Sequence, residues 1–159
     1  MPFLVAVALL MTGSQQRYET PPDLNRFSLS ARQALFFTRA SVQDDVIELR
    51  HLASGLAQGG NALTKELLAG KRLELPEAQG LDRELPFSRE VARALRNAIE
   101  EADALGHRSV ASEHLLLGVL REGFAIDGLT LDQVREVVRD RSRPEPLEPP
   151  GTRAQPPRP

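Results

Sequence analysis

One half of this chain repeats the other, and this internal repeat limits the possible folds more than any other feature. A first set of matches is spaced by 60 residues: Phe27, Ser28, Ala34 and Leu35 against Phe87, Ser88, Ala94 and Leu95. A second set is spaced by 63 residues: His51, Leu52, Gly55 and Gly60 against His114, Leu115, Gly118 and Gly123. The change in spacing predicts that the loop between the two matched helices is three residues shorter in the first copy. Two units that each present an apolar face are expected to pack as a pseudo-twofold pair.

The repeated segments have the periodicity of helices. In the second copy, Ser88 is suited to cap a helix that ends at Gly106, because serine accepts free N–H groups and glycine adopts the left-handed conformation. The apolar positions of this helix recur at helical spacing: Val91, Ala94, Leu95, Ala98 and Ala102. Further helices are predicted at 113–121, at 61–69 in the first copy, and from Thr130 onward. No segment alternates like a strand, so the predicted class is all-α.

The two ends differ from this helical middle. Residues 3–11 are entirely apolar, too short for a bilayer span of about 20 residues but long enough for the apolar region of a signal peptide. No Lys or Arg precedes them, which leaves a misplaced start or a buried terminal segment as alternatives. Localisation therefore stays open between export or membrane association through residues 3–11 and the cytoplasm. Seven prolines within residues 144–159 predict a disordered tail.

Three parts are predicted from these patterns. Residues 1–25 form the signal-like segment and a linker, and residues 26–140 form a helical domain. Within the domain, repeat one covers about 26–72 and repeat two about 86–140. Residues 141–159 form the proline-rich tail.

Composition argues against several classes of function. A formal net charge of −2 and an aromatic content of 4% give no basic surface and no stacking platform for nucleic acid. The chain has three histidines, no cysteine and no H-E-x-x-H motif, so no metal site is predicted. Neither lysine lies in a phosphate-binding G-x-x-x-x-G-K-[ST] loop, and no nucleophile elbow is present. We therefore expect a protein without cofactors that is not an enzyme.

The second repeat carries a resemblance to a known family. The strings Leu85-Pro86-Phe87-Ser88, Leu105-Gly106-His107 and Ser112-Glu113-His114-Leu115-Leu116-Leu117-Gly118 are similar to those of the Clp N-terminal (Clp repeat) domain family. The resemblance covers about residues 26–140. It implies a rigid module of tandem helical repeats that captures a protein or peptide partner: a Clp-type ATPase or protease, an adaptor or a substrate segment.

The sequence departs from that family in three respects. The ATPase modules are missing, so we expect a stand-alone member. The second repeat is shortened after Gly123, where residues 124–128 replace a full helix. Arg50 stands in the first repeat where the motif has a glutamate, so Glu113 alone inherits that position.

The resemblance also suggests a site. In some members the motif glutamate helps to hold the guanidinium of a phosphorylated arginine, which points to Glu113 with Val110 and Ser112 as a partner or phosphoarginine-type site. The carboxylate is expected to be partly sheltered yet near the surface, and one such site per chain is expected. The simpler interpretation is that Glu113 favours the positive end of its own helix. The histidines are interpreted as helix-start and helix-end hydrogen-bonding groups rather than ligands.

A second candidate surface lies on the first helix. Phe36 and Phe37 fall outside its main apolar stripe, and the equivalent residues of the second repeat are Arg96 and Asn97. Either this helix is buried on two sides or it exposes an apolar partner patch. Burial is the favoured interpretation.

The resulting hypothesis is a non-catalytic protein-binding module that resembles the substrate- and adaptor-binding domain of Clp chaperone ATPases. The alternative is an exported or membrane-associated structural or interaction protein that uses the same scaffold without a Clp machine.

Overall fold

The computed structural model describes residues 18–43, 45–73 and 85–141. Within these ranges the chain forms six helices: α1 Leu29–Ala40, α2 Leu49–Gly59, α3 Ala62–Leu68, α4 Arg89–Ala104, α5 Ser112–Arg121 and α6 Leu131–Arg141. The described part contains isolated β-bridges but no β-strand, which confirms the all-α prediction. No described helix is both long enough and apolar enough to cross a membrane. The predictions for residues 3–11 and for the proline-rich tail lie outside the described residues.

The helices begin at equivalent polar residues in the two repeats. Ser28 Oγ accepts the amide of Ala31 at the start of α1, and Ser88 Oγ accepts that of Val91 at the start of α4. At the start of α2, His51 Nδ1 accepts the backbone N–H of Glu48 at 2.9 Å. The repeat therefore extends to the side chains that satisfy the free N–H groups of the first turns.

Two short backbone pairings join the repeats. The parallel bridge between Phe27 and Val110 is closed by Ser28 N–H donating to the Val110 carbonyl at 2.9 Å. Its counterpart joins Ile47 and Phe87, with Ser88 N–H donating to the Ile47 carbonyl, also at 2.9 Å. Each repeat thus contributes one strand-like residue before its first helix and one before its second. This exchange confirms the predicted pseudo-twofold pair.

Two glycines of the repeat allow the helices to approach closely. A Cβ on Gly55 of α2 would meet the hydroxyl of Thr38 and the carbonyl of Ala34, both on α1. A Cβ on Gly118 of α5 would meet the carbonyl of Ala94 on α4. Because both obstacles include backbone, the crossings α1–α2 and α4–α5 require glycine at these positions. The periodic core lies beneath them, and the leucines Leu52, Leu95, Leu115 and Leu116 are fully buried.

The predicted difference in loop length is wrong, because the extra residues lie in a helix. Helix α4 has 16 residues against 12 in α1, while the loop 105–111 is one residue shorter than the loop 41–48. The additional turn of α4 contains Glu101, which is buried and accepts Arg135 Nη2 at 2.6 Å and Arg135 Nε at 3.0 Å. Since Arg135 belongs to α6, the extra turn fixes the last helix to the second repeat.

The shortening of repeat two begins at a change in backbone conformation. Gly60 has φ of −66° and leads directly into Asn61, whose side chain caps α3. The equivalent Gly123 has φ of +85°, which terminates α5 in the left-handed conformation that favours glycine. Residues 124–130 then contain no helix, and the chain resumes helical structure at Leu131. Of the predicted apolar positions on α6, Val134 and Val138 are buried, while Leu131 and Val137 are only partly covered.

Candidate functional site at the repeat interface

The pseudo-twofold relation creates two equivalent positions, one at the start of α5 and one at the start of α2. The position at the start of α5, which we call the Glu113 place, is closed by a polar cluster. At the start of α5, Asn61 Nδ2 donates to Glu113 Oε2 at 2.6 Å, and Asn61 N–H donates to Ser112 Oγ at 2.9 Å. Ser112 N–H donates to Ser30 Oγ at 3.1 Å. The hydroxyls of Ser112 and Thr64 are 2.8 Å apart. Helix α3 therefore begins directly against the start of α5 and fills this place.

The residues predicted as a ligand site, Val110, Ser112 and Glu113, all lie in this closed place. The structure brings them together, but Glu113 is only 1% exposed and Val110 and Ser112 are fully buried. Val110 also uses both its N–H and its carbonyl in the pairing with repeat one. The carboxylate is thus more deeply buried than the sequence argument assumed. The cause is Asn61, whose contact with Glu113 over 52 positions no helical periodicity predicts.

The equivalent place in the other half is an open cleft. A cavity of about 290 Å³ lies between the starts of α2 and α4, and we call it the Arg50 cleft. Its lining residues are Glu48, Leu49, Arg50, Ser88, Glu90 and Phe124. By the repeat spacings, Arg50 corresponds to Glu113, Glu90 to Ser30 and Phe124 to Asn61. The polar residues that close the Glu113 place are therefore replaced by other residue types at the Arg50 cleft.

Helix geometry explains why the Arg50 cleft is open. After Gly60 the chain turns straight into α3, whereas after Gly123 it continues without a helix and places the half-buried Phe124 at the cleft. A phenyl ring cannot make the hydrogen bonds by which Asn61 joins α3 to α5. Leu49 and Phe124, both packed against the core, provide apolar surface on this cleft.

The carboxylates of the Arg50 cleft form ion pairs of different length. Arg50 Nε donates to Glu48 Oε2 at 2.9 Å, and both side chains are about half exposed. Glu90 Oε1 lies 3.9 Å from Arg93 Nη2, but Arg93 donates to Glu122 Oε2 at 3.0 Å. This hydrogen bond to Glu122 is the main reason why the pKa of Arg93 is raised. Two carboxylates and one guanidinium therefore line the cleft, and Glu90 is the less tightly paired carboxylate.

The histidines form a structural network. His114 Nδ1 accepts the N–H of Ala111 at 2.9 Å, as His51 does in the first repeat. With Nδ1 acting as acceptor, the proton of neutral His114 resides on Nε2, which donates to His107 Nδ1 at 2.9 Å. These bonds fit the interpretation of the histidines as helix-start and helix-end groups. Among the described residues, no group of three or more potential ligands could hold a metal ion.

At the second predicted surface, the side chains of Phe36 and Phe37 differ in exposure. Phe37 is half-buried and its ring lies over Gly59, whereas Phe36 is 37% exposed and Leu29, two turns earlier, is 43% exposed. The favoured burial on two sides is therefore wrong for Phe36. The described segment 18–26 runs along α4 instead, where Arg96 Nη1 donates to Glu19 Oε1 at 3.0 Å. Arg96, the counterpart of Phe36, binds this segment through its charge.

Comparison with known proteins agrees with this architecture. The model of the Clp repeat N-terminal domain family matches residues 69–134. The N-terminal domain of the chaperone ClpD from Arabidopsis thaliana has the same fold, with a TM-score of 0.52 and 17% identity, over 76% of this chain and 96% of that domain. The chain is therefore similar to this family in its second repeat and has the fold of a Clp N-terminal domain. The family model covers the second repeat and little of the first, as expected from the weaker motifs of repeat one.

Full-length relatives extend far beyond this module. The chain is 26% identical over 137 residues to the chloroplastic chaperone protein ClpC2 of Oryza sativa subsp. japonica, covering 77% of this chain and 15% of that protein. It is 45% identical over 51 residues to the chloroplastic ClpA homolog of Brassica napus, described as an ATP-binding subunit of the ATP-dependent Clp protease. That match covers 32% of this chain and 6% of the relative. Similarity is therefore confined to a small part of the relatives.

Proposed function

We propose that this chain is a non-catalytic protein-binding module that holds a protein or peptide partner in the manner of Clp N-terminal domains. The observation that carries the proposal is the Arg50 cleft, an open cavity at the interface of the two paired repeats. Small binding sites are typically concave, partly apolar and supplied with a few polar groups. The candidate partners are a Clp-type ATPase or protease, an adaptor, or a segment of a substrate protein.

The family supports binding rather than catalysis. The matched ClpD structure is an isolated N-terminal domain, and the matched relatives are named as chaperones or ATP-binding subunits of much greater length.

A second candidate binding site is the Glu113 place at the start of α5. Its carboxylate accepts Asn61 Nδ2, and a ligand guanidinium would replace this donor with the paired hydrogen bonds that carboxylates form with guanidinium. We propose that such a ligand enters only if α3 moves away from α5. Calorimetric titration with a phosphoarginine peptide tests this site, and Glu113→Ala abolishes the heat of binding if the site is used. Binding that this substitution leaves unchanged would restrict Glu113 to a structural role.

The function is tested by separating binding from turnover. We expect purified protein neither to hydrolyse ATP nor to cleave an unfolded casein-like substrate, yet to bind a purified Clp ATPase or its substrate segment in a direct interaction assay. Turnover that disappears when a residue of this chain is mutated would contradict the non-catalytic proposal. Fractionation of the native protein, combined with the mass of its mature form, tests the alternative of an exported or membrane-associated protein.

A further inference from the structure

The two equivalent places at the repeat interface provide a matched comparison of what each can bind. The Glu113 place is filled by α3 and its polar groups are joined to one another, so little surface is left for a partner. The Arg50 cleft retains a cavity of about 290 Å³, which accommodates one or two side chains rather than a folded surface. Any occupant of this cleft must therefore be a short segment.

The walls of the cleft define the chemistry of that segment. Leu49 and Phe124 offer apolar surface that is incompletely covered by the protein itself. An aliphatic or aromatic side chain would remove this surface from water, which is favourable in proportion to the apolar area that it covers. An occupant that is polar throughout would leave it uncovered.

The charges that line the cleft determine which residue is favoured next to the apolar side chain of the bound segment. Arg50 is paired with Glu48 at 2.9 Å, so this pair is neutral as a unit. Glu90 has a longer contact of 3.9 Å with Arg93, which is bound to Glu122. The excess charge of the lining residues is therefore negative and is located at Glu90, where a cation is attracted and a carboxylate or phosphate is repelled.

We propose that the Arg50 cleft binds a peptide segment in which an apolar side chain adjoins an unmodified lysine or arginine. The apolar side chain lies between Leu49 and Phe124, and the cation faces Glu90. The exchange of the motif glutamate for Arg50 removes the carboxylate that the equivalent position of repeat two retains. This proposal rests on the proposed function and specifies the ligand at the same cleft.

Titration of isotope-labelled protein with three hexapeptides, followed by amide chemical shifts, tests the proposal. Each peptide consists of Gly and Ser around a central pair, which is Leu-Arg, Leu-Glu or Gly-Arg. We expect the Leu-Arg peptide to shift the amides of residues 48–50, 88–90 and 124. It should bind about fivefold more tightly than the other two, as expected for one exposed charge or one apolar side chain.

Charge reversal provides the decisive variant. Glu90→Lys should weaken the Leu-Arg peptide and strengthen the Leu-Glu peptide, so that their order is inverted. The matched control is Asp132→Lys, since Asp132 also lies in the first turn of a helix but its side chain is 95% exposed and lies outside the cleft. Phe124→Ser should weaken both leucine peptides, with thermal unfolding used to verify that this variant remains folded.

Two outcomes would overturn the proposal. The first is that the Leu-Arg peptide does not shift the cleft amides, and the second is that Glu90→Lys leaves the order of the peptides unchanged. If either occurs while the chain still binds a Clp ATPase or its substrate, the proposed function stands and its contact surface lies elsewhere. If neither peptides nor protein partners bind, the proposed function fails as well.

Discussion

The closed Glu113 place and the open Arg50 cleft occupy equivalent positions of one pseudo-twofold fold, yet they have opposite characters. At the first, Asn61, Ser112 and Glu113 form a buried hydrogen-bonded cluster because α3 starts immediately after Gly60. At the second, the chain leaves Gly123 in the left-handed conformation and supplies Phe124 instead of a capping asparagine. The comparison teaches that, of two equivalent positions in a repeated fold, one can be filled by residues that stabilise the protein while the other remains open to a partner.

The common core of the two repeats provides the largest expected effect. Leu52 of α2 and Leu115 of α5 are equivalent and fully buried. Replacement of either by alanine should cost about 2–5 kcal/mol of unfolding free energy, because each change leaves a cavity in a continuous core. Chemical denaturation measures both variants. Two separate transitions, or a large loss in one repeat alone, would show that the repeats are independent and that the two places cannot be compared within one unit.

The closed place should respond more strongly to substitution than the open one. Glu113→Ala removes the acceptor of a buried amide and should cost about 1–3 kcal/mol, the usual cost of an unsatisfied buried polar group. Its counterpart Arg50→Ala removes a half-exposed ion pair with Glu48 and should change stability less, by about 0.5 kcal/mol. Equal losses at the two positions, measured by urea denaturation, would contradict the division between a structural and an open place.

A substitution in the extra turn of α4 should reduce the stability of repeat two alone. Glu101 corresponds to Ser41, the C-cap of α1, and binds Arg135 of α6 through both of its carboxylate oxygens. Glu101→Gln keeps the size of the side chain but removes its charge, and we expect a loss of about 1 kcal/mol because Arg135 is partly exposed. Amide hydrogen exchange should accelerate in α6 and not in α3. Equal acceleration in both helices would show that Glu101 supports the whole fold.

The smallest effect is expected at the end of α6. Arg141 donates to both carboxylate oxygens of Glu66 on α3, and this contact lowers the pKa of Glu66 from its ordinary value of 4.5. Because the lowered pKa belongs to the folded state, the stabilisation is present above pH 4.5 and is lost as the pH falls through the lowered value. Glu66→Gln should reduce the melting temperature slightly at neutral pH and low salt. The difference from the parent protein should vanish in acid and in high salt.

Much of the fold follows from local patterns that the sequence displays directly. Ser28 and Ser88 cap equivalent helices, and Gly55 and Gly118 lie at equivalent crossings, as the matched residues indicate. The length of the first loop could not be inferred in this way. A change in spacing from 60 to 63 gives only the number of residues between two matched points, and a helix can absorb the difference as easily as a loop.

The candidate site depended on contacts between distant parts of the chain. The motif drew attention to Glu113, but its burial is caused by Asn61, and this pair is brought together only when α3 packs against α5. Likewise, Phe124 and Glu90 carry no motif of their own and line the same cleft because the starts of α2 and α4 meet at Ile47 and Phe87. Phe36 was expected to be covered, yet the described N-terminal segment is drawn to α4 by the ion pair of Arg96 and Glu19.

The sequence by itself determined the helical class, the pairing of two repeats and the residues that begin and end their helices. These properties depend on periodicity, on caps and on small residues, all of which act over a few positions of the chain. Only the tertiary structure decided which of the two equivalent places is filled and which is open. That choice depends on the direction in which the backbone leaves Gly60 and Gly123, and therefore on whether a helix start or a phenylalanine meets the repeat across the interface.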